Sequence, residues 1–291
     1  DKVNISDEEF KLILDAIASD FELITSPLVK KDELDHAFLK LTKEQMGLLD
    51  YISEQRFATI QGVAGTGKTL IAKEAAKNFG NEGHKVLFLC FNKFLYAYLK
   101  KQYPYKNVTY YNIHSFIVAH SNIEEDLSDA DTRADVLERI DWSDLDYDDV
   151  IIDEAQDFHD REIIYFRDFA ELKEGRFYAF YDKNQVIQTA KVPEWIEKSE
   201  CRLLLTKNCR NTYEIALTAY NVIDIKLNQK IQMSKGEKTG LIFAGNDPVF
   251  KLAKLLKTLT GEEHGYDYSD IVILTLKTES ESIMNNIYRL C

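Results

Sequence analysis

With 291 residues and 45% apolar content, the chain can bury a sizeable core and hold more than one domain, while its lack of any run near the roughly 18 apolar residues of a membrane span excludes a spanning helix. It opens Asp1-Lys2-Val3-Asn4, without Met and without the charged start and apolar run of a signal peptide, so a piece of a longer cytoplasmic protein is expected. Net charge is −13, yet twelve acidic residues against Arg133 and Arg139 crowd between Glu124 and Asp149, and that local −10 leaves only −3 elsewhere, so acidity does not exclude a nucleic-acid partner. Cys90, Cys201, Cys209 and Cys291 show no paired metal spacing and read as reduced thiols.

Residues 1–40 read as a packing or linker segment. Phe10, Ile13, Leu14 and Ile17 recur at helical spacing, Pro27 breaks the pattern, and Lys30 to Leu39 predicts a second helix. Thr42 can cap the helix that carries Gln45, with Gln45 completing a capping box, the reading that local grounds favour; its amide also offers one acceptor and two donors, which can read an adenine edge. Phe57 to Ile60 is a short apolar strand. It runs into Gln61 to Lys73, where Gly62, Gly67, Lys68 and Thr69 fit the phosphate-loop pattern G-x-x-x-x-G-K-[ST].

That pattern has a physical reason. A backbone passing through Gly62, Ala64, Gly65, Thr66 and Gly67 can turn tightly and aim N–H groups at phosphate oxygens. Lys68 adds charge for the β- and γ-phosphates, and the Thr69 hydroxyl can ligate Mg²⁺. A helix starting near Leu70 turns its positive end to the anion. A nucleoside triphosphate and Mg²⁺ are therefore the expected ligands.

Lys85 to Cys90 predicts a second strand, and Asn92-Lys93-Phe94 starts a helix rich in aromatics. Val108 to Tyr111 predicts a third strand, followed by His114 and Ser115. The acidic stretch that follows, about 117–148, reads as a small helical insert with a solvated face, which could meet a protein partner. Val150-Ile151-Ile152 then runs into Asp153-Glu154-Ala155-Gln156-Asp157. Ligands of open α/β sheets bind at the carboxyl ends of the strands, so Asp153 and Glu154 should share a crevice with Lys68. Asp153 suits the metal, and Glu154 is placed to deprotonate a water that attacks the γ-phosphate.

Phe177 to Tyr181 and Leu203 to Leu205 predict two more strands, the first leading to Gln185 and the second to Arg210, and a helix follows from Tyr213 to about Asp224. Alternating strands and helices imply a mostly parallel sheet with helices on both faces. From Gly240 the pattern restarts: strands at Leu241–Phe243 and Ile271–Leu274, helices at Val249–Leu259 and Glu279–Leu290. The reading is thus a linker segment (1–40), a first α/β domain (41–228) and the opening of a second (240–291).

Taken in this order, the motifs resemble the superfamily 1 helicases of the UvrD/Rep-like branch, over roughly Leu41 to Leu290. Leu205-Thr206-Lys207-Asn208-Cys209-Arg210-Asn211-Thr212 is most similar to helicases that carry a nuclease-related domain. The resemblance implies a RecA-like P-loop NTPase fold and an ATP-driven motor on single-stranded DNA, with RNA as the other candidate. It implies that Gln45 contacts adenine, that Lys68, Thr69 and Leu70 border the phosphates, and that Gln185 senses the γ-phosphate. Arg210 would act as an arginine finger, a role suited to a planar guanidinium. Phe91, Asn92, Lys93, His114 and Ser115 match positions that touch nucleic acid. The sequence departs from the family at Leu70 and Cys209, where arginine and tyrosine are common, and shows no aromatic in Val186-Ile187-Gln188. The family's later motifs would fall past Cys291, so this stretch is expected to bind ATP better than it turns it over. The competing expectation is a nucleotide-sensing interaction module that does not translocate.

Overall fold

The computed structural model describes residues 47–121, 125–182, 193–197, 199–208, 211–222, 235–236, 238–240, 242, 247–261 and 264–273. Contacts divide the chain into two units, one holding His36–Gly240 and the other Leu241–Cys291. The described residues of the larger unit form six strands: β1 (Phe57–Gly62), β2 (Val86–Cys90), β3 (Val108–Asn112), β4 (Asp149–Asp153), β5 (Phe177–Tyr181) and β6 (Cys201–Leu205). They form one sheet in the order β3-β2-β4-β5-β1-β6, and every pairing is parallel. The strand after the phosphate loop's own thus lies three places away from it, and β5 separates β1 from β4.

Continuous apolar runs form β2, β4 and β5 because both faces of these strands are covered. Period-two alternation then sorts the side chains. Leu87, Leu89, Val150, Ile152, Phe177 and Ala179 face one core, with Phe116, Leu137 and Phe166 from the helices over it. Val86, Phe88, Ile151, Tyr178, Phe180 and Ile60 face the other, against Ile71, Ala75 and Phe79. The first layer is built by α4 (Ile113–His120), α5 (Ala130–Glu138) and α6 (Asp160–Leu172), and the second by α1 (Leu48–Ile52), α2 (Lys68–Glu82) and α3 (Lys93–Gln102). Short helices α7 (Glu194–Glu197) and α8 (Tyr213–Val222) complete the described part of this unit.

Local chemistry sets the helix ends. Asn92 caps α3 by accepting from the N–H groups of Phe94 and Leu95, and Asn112 caps α4 in a capping box with Ser115. Helix α2 keeps its buried face through Phe79 and Gly80, and Gly83 then takes φ 102° and closes it.

The acidic insert holds α5 and a short 3-10 turn, Trp142–Asp144. It is not merely a solvated appendage. Arg133 of α5 is buried and its Nε donates to the Glu162 carboxylate of α6 at 2.6 Å, while Nη1 donates to the carbonyls of Leu127 and Ser128. Glu162 also accepts from the His159 N–H. Outside this buried pair, Arg161 faces Asp131, Asp135 and Glu138.

In the smaller unit, α9 (Pro248–Leu259) forms where a helix is expected, capped by Asp247. Ile271–Ile273 join no strand ladder among the described residues, in contrast to the expected strand. The predicted elements before residue 47 and from 279 onward lie outside the described residues, as does all but Ile242 of the strand expected at 241–243.

Breaking a buried pair leaves an uncompensated charge, typically at a cost of about 3–5 kcal/mol. Glu162→Gln is expected to lower stability in urea by that order, and the double change Arg133→Met/Glu162→Leu to restore most of it. A loss below about 1 kcal/mol for the single variant would show that the pair does not anchor the insert.

Candidate functional site

The carboxyl ends of β1, β4 and β5 form one crest. At the end of β1 the chain enters the loop Gly62–Gly67, which folds back on itself. The Thr66 hydroxyl donates to the Val63 carbonyl at 2.7 Å, and the Asn208 amide, arriving from beyond β6, donates to the Ala64 carbonyl at 3.1 Å. Since a trans peptide sets its N–H opposite its C=O, the N–H groups of Ala64 and Gly65 point the other way. Gly62 is required by close approach: a Cβ there would lie 2.2 Å from Thr66 Oγ1. Gly65 is required twice over, by φ 85° and because a Cβ would collide with the side chains of Asn208 and Asn211.

Lys68 opens α2 and is only 7% exposed. Its ammonium donates to the Gly62 carbonyl at 2.9 Å, which holds the charge within the loop. Thr69 and Leu70 follow on the first turn, both half-buried.

Asp153 ends β4 and is fully buried. Burial pushes its carboxyl up to about 7, and the neighbouring Glu154 pushes the same way; Thr69 and Lys68 oppose both. Oδ1 accepts from the Glu154 N–H at 3.1 Å, whereas Oδ2 is buried with no hydrogen-bond partner. Such an atom fits a cation. Beside it, burial and the two carboxylates push the Cys90 thiol up to about 12, so the donors at this point are oxygens and not thiolate, the set that Mg²⁺ takes.

Glu154 adopts φ 54° and ψ 47°, a left-handed backbone that costs a non-glycine residue about 1–2 kcal/mol. Gln156 locks the result. Its amide donates to the Glu154 carboxylate at 2.6 Å, and its carbonyl accepts from the Asp182 N–H at the end of β5. One side chain thus ties the carboxylate of β4 to the neighbouring strand.

The sequence-predicted residues divide into three groups. Gly62, Ala64, Gly65, Thr66, Gly67, Lys68, Thr69, Asp153 and Glu154 come together at the crest. Gln45, Gln185 and Arg210 lie outside the described residues. Phe91, Asn92, Lys93, His114 and Ser115 sit at the ends of β2 and β3, along the same edge of the sheet. Among these, Asn92 caps α3, and the Ser115 hydroxyl accepts from the Asn112 N–H in the capping box of α4. Phe91 is half-buried, meeting the rings of His114 and Phe158 and lying under the Arg133 guanidinium at 5.4 Å. Lys93 is exposed. Sequence reasoning gave no role to Gln156, Asn208 or Asn211; the only signal was their place inside the two motifs.

A glycine turn with a buried lysine, facing a buried aspartate and a glutamate across a parallel sheet, defines a P-loop NTPase of the α/β class. The AAA domain family is matched over residues 40–219, more than half of the sequence, and the chain belongs to that family. No curated protein matches it. Among solved structures, similarity is found to AMPPCP-bound DnaA from Aquifex aeolicus (13% identity, 77% of this chain and 62% of that one, TM-score 0.31). It is found also to domain III of the Thermotoga maritima replication initiation protein DnaA (12%, 81% and 87%, 0.32). A third is the flagellar accessory protein FlaH from Methanocaldococcus jannaschii (12%, 49% and 66%, 0.29). The chain therefore spans less than two thirds of the Aquifex protein's length. Among the described residues no helix is long and apolar enough to cross a membrane.

The raised Asp153 carboxyl has a consequence for stability. Below about pH 4 the group is neutral both folded and unfolded. From there to about pH 7 the folded chain keeps a proton that the unfolded chain has released, so stability of the ligand-free protein falls as pH rises. Asp153→Asn is expected to melt several degrees above the parent at about pH 8 and level with it near pH 4. An equal gain at both would contradict the assignment.

Proposed function

We propose that the chain is the ATP-hydrolysing part of a motor that moves on single-stranded nucleic acid, DNA in preference to RNA, of the UvrD/Rep-like kind. The observation that carries the reading is the crest itself: Lys68 within its loop and Asp153 with an unpartnered oxygen, at the ends of strands that share one sheet.

In this reading the triphosphate lies along the loop, with Lys68 against its β- and γ-oxygens and the start of α2 behind them. Asp153 and the Thr69 hydroxyl would hold Mg²⁺, which when bound neutralises charge on the phosphates. Glu154 accepts a proton from the water that attacks the γ-phosphorus, the P–O bond to the β-phosphate breaks, and ADP leaves as the anion. Gln156 keeps the Glu154 carboxylate in one orientation for that transfer. Gln45, Gln185 and Arg210 would contribute adenine contact, γ-phosphate sensing and charge stabilisation. Phe91, Lys93 and His114 would meet nucleic acid at the neighbouring strand ends.

The sensor alternative places its partner on the acidic insert. Three of the insert's carboxylates lie around Arg161, which favours a packing role over a docking one.

The test is phosphate release with and without oligo(dT). Wild type is expected to speed up at least severalfold with the oligonucleotide, and Glu154→Gln to keep ATP affinity while losing about a hundredfold or more in turnover. Tight ATP binding with release indifferent to nucleic acid would favour the sensor, and normal turnover by Glu154→Gln would remove it as the base.

A further inference from the structure

The chain's negative charge conceals a segment with no acid at all. From Gly83 to Ile123, 41 residues contain Lys85, Lys93, Lys100, Lys101 and Lys106 but neither Asp nor Glu. This segment builds β2, α3, β3 and α4, one flank of the sheet.

Helix α3 divides into two faces. Leu95 and Leu99 turn inward to the core, whereas Phe94 and Tyr98, one turn apart, are 86% and 53% exposed. The rings continue beyond the helix. Tyr98 meets Tyr103 edge-on at 6.0 Å between centroids, and Tyr103 meets Tyr105 at 5.9 Å. Cations accompany them: Lys73 of α2 stands 3.7 Å over the Tyr103 ring and Lys77 6.0 Å over Tyr105. Lys93 and Lys101 are exposed on α3 itself. Glu74, which faces Lys73 and Tyr105 from α2, is held by Lys77 at 2.8 Å.

Leaving a large ring in water forgoes roughly 1.5–3 kcal/mol of burial, and two such rings in line with lysines make a surface that neither the core nor an acidic partner within this segment covers. Aromatic rings in series accept stacked bases of any sequence, and cations beside them accept phosphates. The start of the stripe, Lys93-Phe94, follows directly on Phe91 and Asn92, so it continues from the crest down the outside of the domain.

We propose that the outer face of α3, from Phe94 through Tyr98 to Tyr103 and Tyr105, is a track for single-stranded nucleic acid that leads away from the strand-end crest. The proposal rests on the nucleic-acid reading above and adds a site to it. Phe94 and Tyr98 supply stacking, and Lys93 and Lys101 supply phosphate contacts.

The test is fluorescence anisotropy of a labelled oligo(dT) of about 20 nucleotides with the full chain, read across a salt series. Phe94→Ala/Tyr98→Ala is expected to weaken binding at least about tenfold, and Lys101→Ala to flatten the log–log salt slope by about 0.7. Tyr51→Ala, which removes an exposed ring from α1, should leave both unchanged, and ATP affinity should be retained in all three. If wild type binds the oligonucleotide and both α3 variants bind it equally well, the track is overturned while the crest reading stands. If Tyr51→Ala loses as much as the α3 variants, the track is likewise overturned. If wild type does not bind the oligonucleotide at all, both fall.

Discussion

A buried ammonium held inside its own loop is the constraint from which the rest of the site follows. Lys68 is almost removed from water, and its hydrogen-bond partner is a neutral carbonyl, that of Gly62, while its charge acts on the nearby Asp153 carboxyl. Burying a charge is costly unless it is well paired and hydrogen-bonded, so the arrangement makes sense as one wall of a site that an anionic ligand completes. Asp153 presents the complementary case. It is fully buried, its carboxyl stands near neutrality, and one oxygen is unpartnered. A magnesium nucleotide would satisfy the two together, supplying negative charge to the lysine and positive charge to the aspartate.

Such a crest must be rigid, and the sheet provides that. Six parallel strands covered on both faces fix the spacing of the strand ends, and side chains from neighbouring strands pin the turns. Asn208 reaches the loop from beyond β6, and Gln156 reaches β5 from beyond β4. The strained Glu154 backbone sits between two anchors, its own N–H bonded to the Asp153 carboxylate and its side chain held by Gln156. The same logic extends to the insert, where Arg133 is anchored to α6 and at the same time covers the Phe91 ring at the end of β2.

Much of this was legible in the sequence. All six strands were expected, β2, β4 and β5 from continuous apolar runs and the others from shorter ones, and the two crest motifs were readable because each is contiguous. What could not be read depends on strand order. Nothing in the residues says that β5 lies between β1 and β4, so the Gln156 bridge to Asp182 had no visible partner, and neither did Asn208's bond to Ala64. The insert was expected to be solvated because its acids outnumber its bases; a buried Arg133–Glu162 pair joins residues 29 apart and needs the packing of α5 on α6 to appear. Asn92 and Ser115 show the opposite limit. Read for nucleic-acid contact, they also take part in helix capping, Asn92 as the cap of α3 and Ser115 in the box that Asn112 forms on α4, a role that an Asn immediately before each helical run could have signalled.

The most direct test is a calorimetric titration of ATP with Mg²⁺ into wild type and Lys68→Ala. The account predicts clear binding by wild type and a loss of at least about thirtyfold in the variant, the weight of a desolvated charge pair. Equal affinities would contradict it, because the nucleotide would then be held somewhere other than the loop that Lys68 closes.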